Sequence, residues 1–194
     1  MHLLYIPGLG DDNFGGQKQV VQWWRLYGIT GRYMPMHWAD GQPLEAKLTT
    51  VLDAIDKLST ASNEIVLIGA SAGASVALLA YAERRKQVAA VVCICGKINH
   101  PQTVRPAVYS RNPAFKQAMQ RLQSILPSLT DDDRRRVLSL HALHDTVVPV
   151  PDTIIPGAQH GAIWAVGHAL GIIHSLLFGV PRIKRFVRCV VANA

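Results

Sequence analysis

Ser71 sits in the segment Gly69-Ala70-Ser71-Ala72-Gly73, a Gly-x-Ser-x-Gly pattern with a strand-like run before it (Glu64 to Ile68) and a helix-like run after it (Ala72 to Arg84). A serine at a sharp strand-to-helix turn projects its hydroxyl from the sheet edge, on strained backbone. Small residues two positions to either side leave room for the chain to double back. A hydroxyl so placed is a candidate nucleophile, yet it is weak at neutral pH and needs an adjacent base. Five-residue matches arise by chance, so the pattern takes its weight from the elements around it.

Those elements alternate along the chain. Residues 2–6 read as a strand, followed by the glycine-bearing loop Pro7-Gly8-Leu9-Gly10. A helix is expected over 16–27, and a second strand over 31–36, weakened by Pro35. Leu44 to Leu58 suits an amphipathic helix, with Leu48, Val51, Leu52, Ile55 and Leu58 spaced at three and four. Val88 to Cys95 is an uninterrupted apolar run, as a parallel strand buried on both faces requires. Asn112 to Leu126 reads as a helix inside a less regular stretch from 97 to 134. Val137 to Leu143 and Ile163 to Val166 read as strands, and 169–179 as a helix ending near Gly179 and Pro181. The pattern predicts an α/β fold: a three-layer sandwich whose mostly parallel sheet of six strands carries helices on both faces.

In such sheets ligands bind beyond the carboxyl ends of the strands. Ser71 falls at that end of the third expected strand, Gly8 to Gly10 of the first, Asp145 of the fifth and His168 of the sixth. Four chemically useful positions thus converge on one edge.

Composition narrows the remaining classes. A chain of 194 residues is expected to form one domain, 1–194, with a sizeable core. Its 49% hydrophobic and 17% charged residues argue against disorder. Met1 to Pro7 lacks the features of a secretion signal, and three cysteines, two within one strand, make no disulfide framework. Cytoplasmic residence is therefore expected. The formal charge is +7, with Arg182, Lys184, Arg185 and Arg188 clustered near the C-terminus. That cluster suits a weak contact with an anionic surface, but a solvated terminal face is the plainer reading. Without interleaved aromatics it makes no nucleic-acid platform.

Residues 161–180 carry no Asp, Glu, Lys or Arg and are long enough for a membrane span. His168, His174 and the glycines there favour a buried strand and helix instead, so no stable membrane insertion is expected. His141 and His144 lack a matching ligand set, so no metal is expected. Gly8-Leu9-Gly10 lacks the rest of a dinucleotide fingerprint, and no P-loop lysine is present, so no cofactor is expected. Cys93 and Cys95 should share one strand face as small core residues. Trp23, Trp24 and Trp38 read as packing residues. Trp38, after a strand end, is also a candidate to line a substrate pocket with Gly8 and Gly10.

With these segments in hand, the chain resembles the α/β-hydrolase superfamily, as a small esterase- or lipase-like member, over nearly its whole length. Pro7-Gly8-Leu9-Gly10, Gly69-Ala70-Ser71-Ala72-Gly73, His144-Asp145-Thr146-Val147-Val148-Pro149 and Val166-Gly167-His168 follow that family's order of oxyanion loop, serine, acid and histidine. Serine to acid is 74 residues and acid to histidine 23. Two departures stand out. The chain starts on the strand before the oxyanion loop, which implies a minimal version of the fold, and Pro7 stands where the family commonly has histidine.

The resemblance implies a serine hydrolase cleaving carboxylic esters, a small-molecule substrate, through an acyl-enzyme intermediate. His168 would take the Ser71 proton and pass it to the leaving alcohol, and Asp145 would orient the imidazole. Backbone N–H groups of Leu9 and Ala72 would receive the oxyanion. Thioesters and amides use the same groups, and a non-catalytic binding protein of this fold is the opposing reading. Asp152 is a rival acid, while Asp131, Asp132 and Asp133 suit a helix N-cap. His160 precedes the last strand, His144 adjoins the acid, and His174 lies inside a helix. Residues 97–134 occupy the place of a small lid, implying short or medium acyl chains. Leu122, Ile125 and Leu126 there either face an acyl pocket or pack on the sheet.

Overall fold

Alternate side chains along each central strand enter two different cores, which is what makes the molecule three-layered. The computed structural model describes residues 1–13, 15–60 and 64–192. In chain order these hold β1 (His2–Ile6), α1 (Gln17–Trp23, continued by a 3-10 turn over Trp24–Tyr27), β2 (Thr30–Tyr33), α2 (Leu44–Ser59), β3 (Ile65–Ala70), α3 (Gly73–Glu83) and β4 (Val88–Ile94). Then follow α4 (Pro106–Arg111), α5 (Pro113–Ile125), α6 (Asp131–Arg135), β5 (Val137–His144), α7 (Val150–Thr153), β6 (Gln159–Val166), α8 (His168–Phe178) and α9 (Val180–Ala192). Among the described residues the sheet runs β2-β1-β3-β4-β5-β6, with every pairing parallel.

Leu4, Ile6, Leu67, Val91 and Cys93 face the layer of α2, α3 and α5, whereas Leu3, Tyr5, Ile68, Val92 and Ile94 face that of α1, α8 and α9. Each such aliphatic side chain, fully removed from water, is worth about 1.5–3 kcal/mol. With its central strands covered on both faces, the sheet offers its strand ends to a ligand, and all the carboxyl ends lie together.

Several local differences from the sequence expectation have identifiable causes. β2 stops at Tyr33, before Pro35, which has no N–H to give a ladder. β6 begins at Gln159 rather than Ile163: Gln159 and His160 carry no apolar signal but pair with Leu138 and Ser139 of β5. Cys93 and Cys95 do not share a face. Cys95 has a left-handed φ of 47°, which turns its side chain into the opposite core. Trp24 and Trp38 are buried, but Trp23 is largely exposed, because α1 buries Val21 and leaves that neighbouring face open.

Beyond Gly179 the chain re-enters a helix, with Pro181 in the first turn, where a missing N–H costs little. α9 buries Val180, Ile183, Phe186 and Val187. Its cations are not simply solvated: Arg182 donates to the Ala162 carbonyl at 2.8 Å and Lys184 to that of Tyr27 at 2.5 Å. No helix among the described residues is long and apolar enough to cross a membrane. The apolar run 161–180 is broken at Gly167, whose φ of 92° separates β6 from α8. In the stretch 97–134, α5 packs Ala114, Phe115, Ala118, Met119 and Leu122 into the core, so Leu122 is a packing residue; α4 buries none of its side chains.

Candidate active site

Ser71 occupies the turn between β3 and α3 with φ 50°, a conformation L-residues seldom adopt. Hydrogen bonds from three directions hold it there. The Ser71 N–H donates to the Ile94 carbonyl at 2.9 Å, and the Ser71 carbonyl accepts from Lys97 N–H at 3.1 Å and Ala74 N–H at 3.2 Å. A trans peptide whose carbonyl is held on one side sends its N–H to the other, so the Ala72 N–H points away from those donors, and Ala72 lines the adjoining cavity. Glycines give the turn its space. A Cβ on Gly73 would lie 2.2 Å from the Ile6 carbonyl oxygen, and one on Gly69 2.5 Å from the Ala74 Cα.

His168, the first residue of α8, places Nε2 2.9 Å from Ser71 Oγ and Nδ1 2.7 Å from Asp145 Oδ2. The other carboxylate oxygen accepts from the N–H groups of Val147 at 2.9 Å and Val148 at 2.8 Å. Burial pushes the Asp145 carboxyl up. The bonds from His168, Val148 and Val147 and the nearby imidazole outweigh it and hold the group below the usual carboxylate range. The structure thus joins Ser71, His168 and Asp145 in one hydrogen-bonded line, although they are far apart in sequence.

The rival residues lie elsewhere. Asp152 ion-pairs with Lys97 and is hydrogen-bonded to His100 Nδ1. Thr130 caps α6 through Asp133, a capping box. His160 sits at the amino end of β6 and contacts the Ile155 carbonyl, and His174 packs against Phe178 with the rings tilted by 53° and centroids 5.3 Å apart.

Among the described residues, two cavities meet at Ser71. The larger, about 400 Å³, is lined by Leu9, Ala72 and Val148 near the serine and by Phe115, Val108 and Arg105 beyond. The smaller, about 200 Å³, is lined by Gly8, His168, Ala169, Ile172 and Ile173. Gly8 is glycine for clearance: a Cβ there would sit 2.7 Å from Ser71 Cβ and 3.4 Å from Ser71 Oγ. Gly10 lines neither cavity but turns the loop with φ 79°. Trp38 corrects an expectation, because it is 1% exposed and lines neither cavity. The loop folds over it instead: its Nε1–H donates to the Pro7 carbonyl at 3.1 Å and its ring meets Phe115 edge-on. An indole thus supports the loop beside Pro7.

Sequence reasoning missed Cys95, whose sulfur lies beside Asp145 and His168 within 4.8 Å. Burial pushes its thiol up to about 12, so it stays protonated and inert, and both imidazole nitrogens are already engaged. This trio is a poor metal cage. It also missed Lys97 and Arg105, which follow the carboxyl end of β4; the sheet-edge rule applied to that strand would have found them.

No sequence-family model and no curated protein matches this chain. Solved structures do. Est1E from Butyrivibrio proteoclasticus superimposes with a TM-score of 0.71 at 16% identity, over 98% of this chain and 88% of that one. A structure of the metagenome-derived lipolytic enzymes LipS and LipT gives 0.66 at 14%, over 96% and 93%. MGS-MChE2, an α/β-hydrolase enzyme from the sediment metagenome of the Mar Chica lagoon, gives 0.64 at 16%, over 97% and 89%. The chain has the α/β-hydrolase fold.

Proposed function

We propose that this chain is a serine hydrolase that cleaves carboxylic esters through Ser71, His168 and Asp145. The observation that carries the reading is the line of two hydrogen bonds, 2.9 Å from Ser71 Oγ to His168 Nε2 and 2.7 Å from His168 Nδ1 to Asp145. A fold needs no such line to be stable, and the strained serine is the kind of local cost found at working sites. LipS and LipT, which share the fold, are lipolytic enzymes, and that agrees with it.

In the reaction, Ser71 Oγ attacks the ester carbonyl as its proton passes to His168 Nε2. The carbonyl oxygen becomes an oxyanion facing the N–H groups of Leu9 and Ala72. Neither N–H has an acceptor among the described residues. Each such donor lowers the barrier by roughly 3–4 kcal/mol, and the amino end of α3 adds a favourable dipole. Collapse expels the alcohol, which takes the proton from His168 and leaves an acyl-Ser71 ester. Water, deprotonated by His168, attacks that ester; the acid is released and the serine recovers its proton. Asp145 keeps Nδ1 protonated throughout and stabilises the imidazolium.

The larger cavity takes a short or medium acyl group, with α4 as its outer wall. Turnover of esters of rising acyl length, beside matched thioesters and amides, tests the reading: short and medium esters should be hydrolysed fastest. Preference for amides or thioesters, or no turnover of any, would contradict it. Gly8→Ala should lower kcat/KM about 100-fold, because the new methyl displaces the serine from its attack geometry. A thermal melt run beside the kinetics should show a small shift. A large melting loss would make Gly8 a folding residue instead.

A further inference from the structure

The 400 Å³ cavity is lined unevenly. Leu9, Ala72, Phe115 and Val148 are apolar, whereas Lys97, Thr103 and Arg105 form a polar side on the chain after β4. Lys97 is 4% exposed, so its ammonium is desolvated. Asp152 pairs with it and Thr103 Oγ1 accepts from it at 2.6 Å, which commits two of its three N–H groups. Asp152 is shared with His100 at 2.6 Å, and Thr103 donates onward to the His100 carbonyl. Arg105 has no ion-pair or hydrogen-bond partner for its guanidinium among the described residues. No Asp or Glu lines the cavity. Both lining charges are therefore positive: that of buried Lys97 is compensated by Asp152, whereas Arg105 is exposed and its guanidinium is open to an incoming anion. A plain hydrocarbon chain gains nothing from this, while a carboxylate would meet a planar fork suited to hold both its oxygens.

We propose that the larger cavity binds an acyl arm bearing its own carboxylate, so that the preferred substrates are half-esters of short dicarboxylic acids, with Arg105 as the carboxylate anchor and the uncommitted N–H of Lys97 as the second contact. The proposal rests on the serine-hydrolase reading for the direction of the substrate. His168 lines the smaller cavity and must reach the leaving oxygen, so the alcohol occupies that side and the acyl arm the larger one. Attack by Ser71 then leaves a carboxyacyl-Ser71 ester, and water releases the free diacid.

The test compares mono-para-nitrophenyl adipate with para-nitrophenyl hexanoate, which have equal chain length and differ by one terminal carboxylate. The wild type should favour the adipate half-ester in kcat/KM. Arg105→Ala should reduce that preference about tenfold or more, as the loss of a charge-assisted contact does, and Arg105→Lys should restore part of it. Preference for the hexanoate, unchanged in Arg105→Ala, would overturn the proposal. Thermal stabilisation by free adipate supplies a readout independent of turnover. Adipate stabilisation that depends on Arg105, without hydrolysis of either ester, would keep the anion site and sink the hydrolase. Neither hydrolysis nor stabilisation would sink both.

Discussion

Ser71→Ala should lower kcat for ester hydrolysis on the order of 10^6-fold, while the melting temperature should stay within a few degrees of the wild type. The activity loss follows from removing the one atom that bonds the substrate, and loss of a serine nucleophile elsewhere has that scale. The stability expectation follows from the hydrogen bonds. Those that hold the turn are made by the Ser71 backbone with Ile94, Lys97 and Ala74, and alanine keeps all of them. The side chain gives up a contact of 2.9 Å with His168, which is 15% exposed at its side chain and can recruit water in exchange. Steady-state kinetics on a short ester, with a thermal melt of the same sample, checks both halves. Residual activity within tenfold of the wild type would remove Ser71 from the nucleophile role.

Asp145→Asn should cost about 10^4-fold in kcat at neutral pH, through the imidazole tautomer. Oδ1 of Asp145 accepts from the N–H groups of both Val147 and Val148, so an asparagine would keep its carbonyl oxygen there. Its NH2 would then face His168 Nδ1, which would have to accept. The ring proton would move to Nε2, opposite Ser71 Oγ, and the base would be lost. The same substitution alters stability against pH. Because the folded Asp145 carboxyl is held below the usual carboxylate range, it stabilises the protein above that range, and this contribution is lost as pH falls through the folded value. The Asp145→Asn variant would lack that acid-sensitive part. Kinetics at neutral pH and melts across the acid range test the two effects separately.

Much of this arrangement was legible because parallel strands buried on both faces are long apolar runs, and because their loops all emerge at one edge. Val88 to Ile94 and the run before Ser71 were such strands, and Asp145 and His168 followed from the chain leaving β5 and β6. What stayed hidden depends on geometry that residue type does not encode. Cys95 breaks the period of two through one left-handed φ, which no apolar pattern reports. The start of β6 is polar, since only pairing with β5 defines it. α9 follows a Gly and a Pro that read as a stop, although Pro belongs equally to a first helical turn. Trp38, a candidate for the pocket wall, lies instead beneath the loop, because its N–H finds the Pro7 carbonyl. Arg105 and Lys97 carry no motif and take their meaning from the cavity they share with Ser71.

The central claim is that Ser71 is an activated nucleophile, and a fluorophosphonate followed by intact mass and peptide mapping tests it most directly. One adduct on Ser71 of the folded wild type, absent from Ser71→Ala and much slower to form in Asp145→Asn, is the predicted result. A folded wild type that takes no label, or carries it on another residue, would contradict the account.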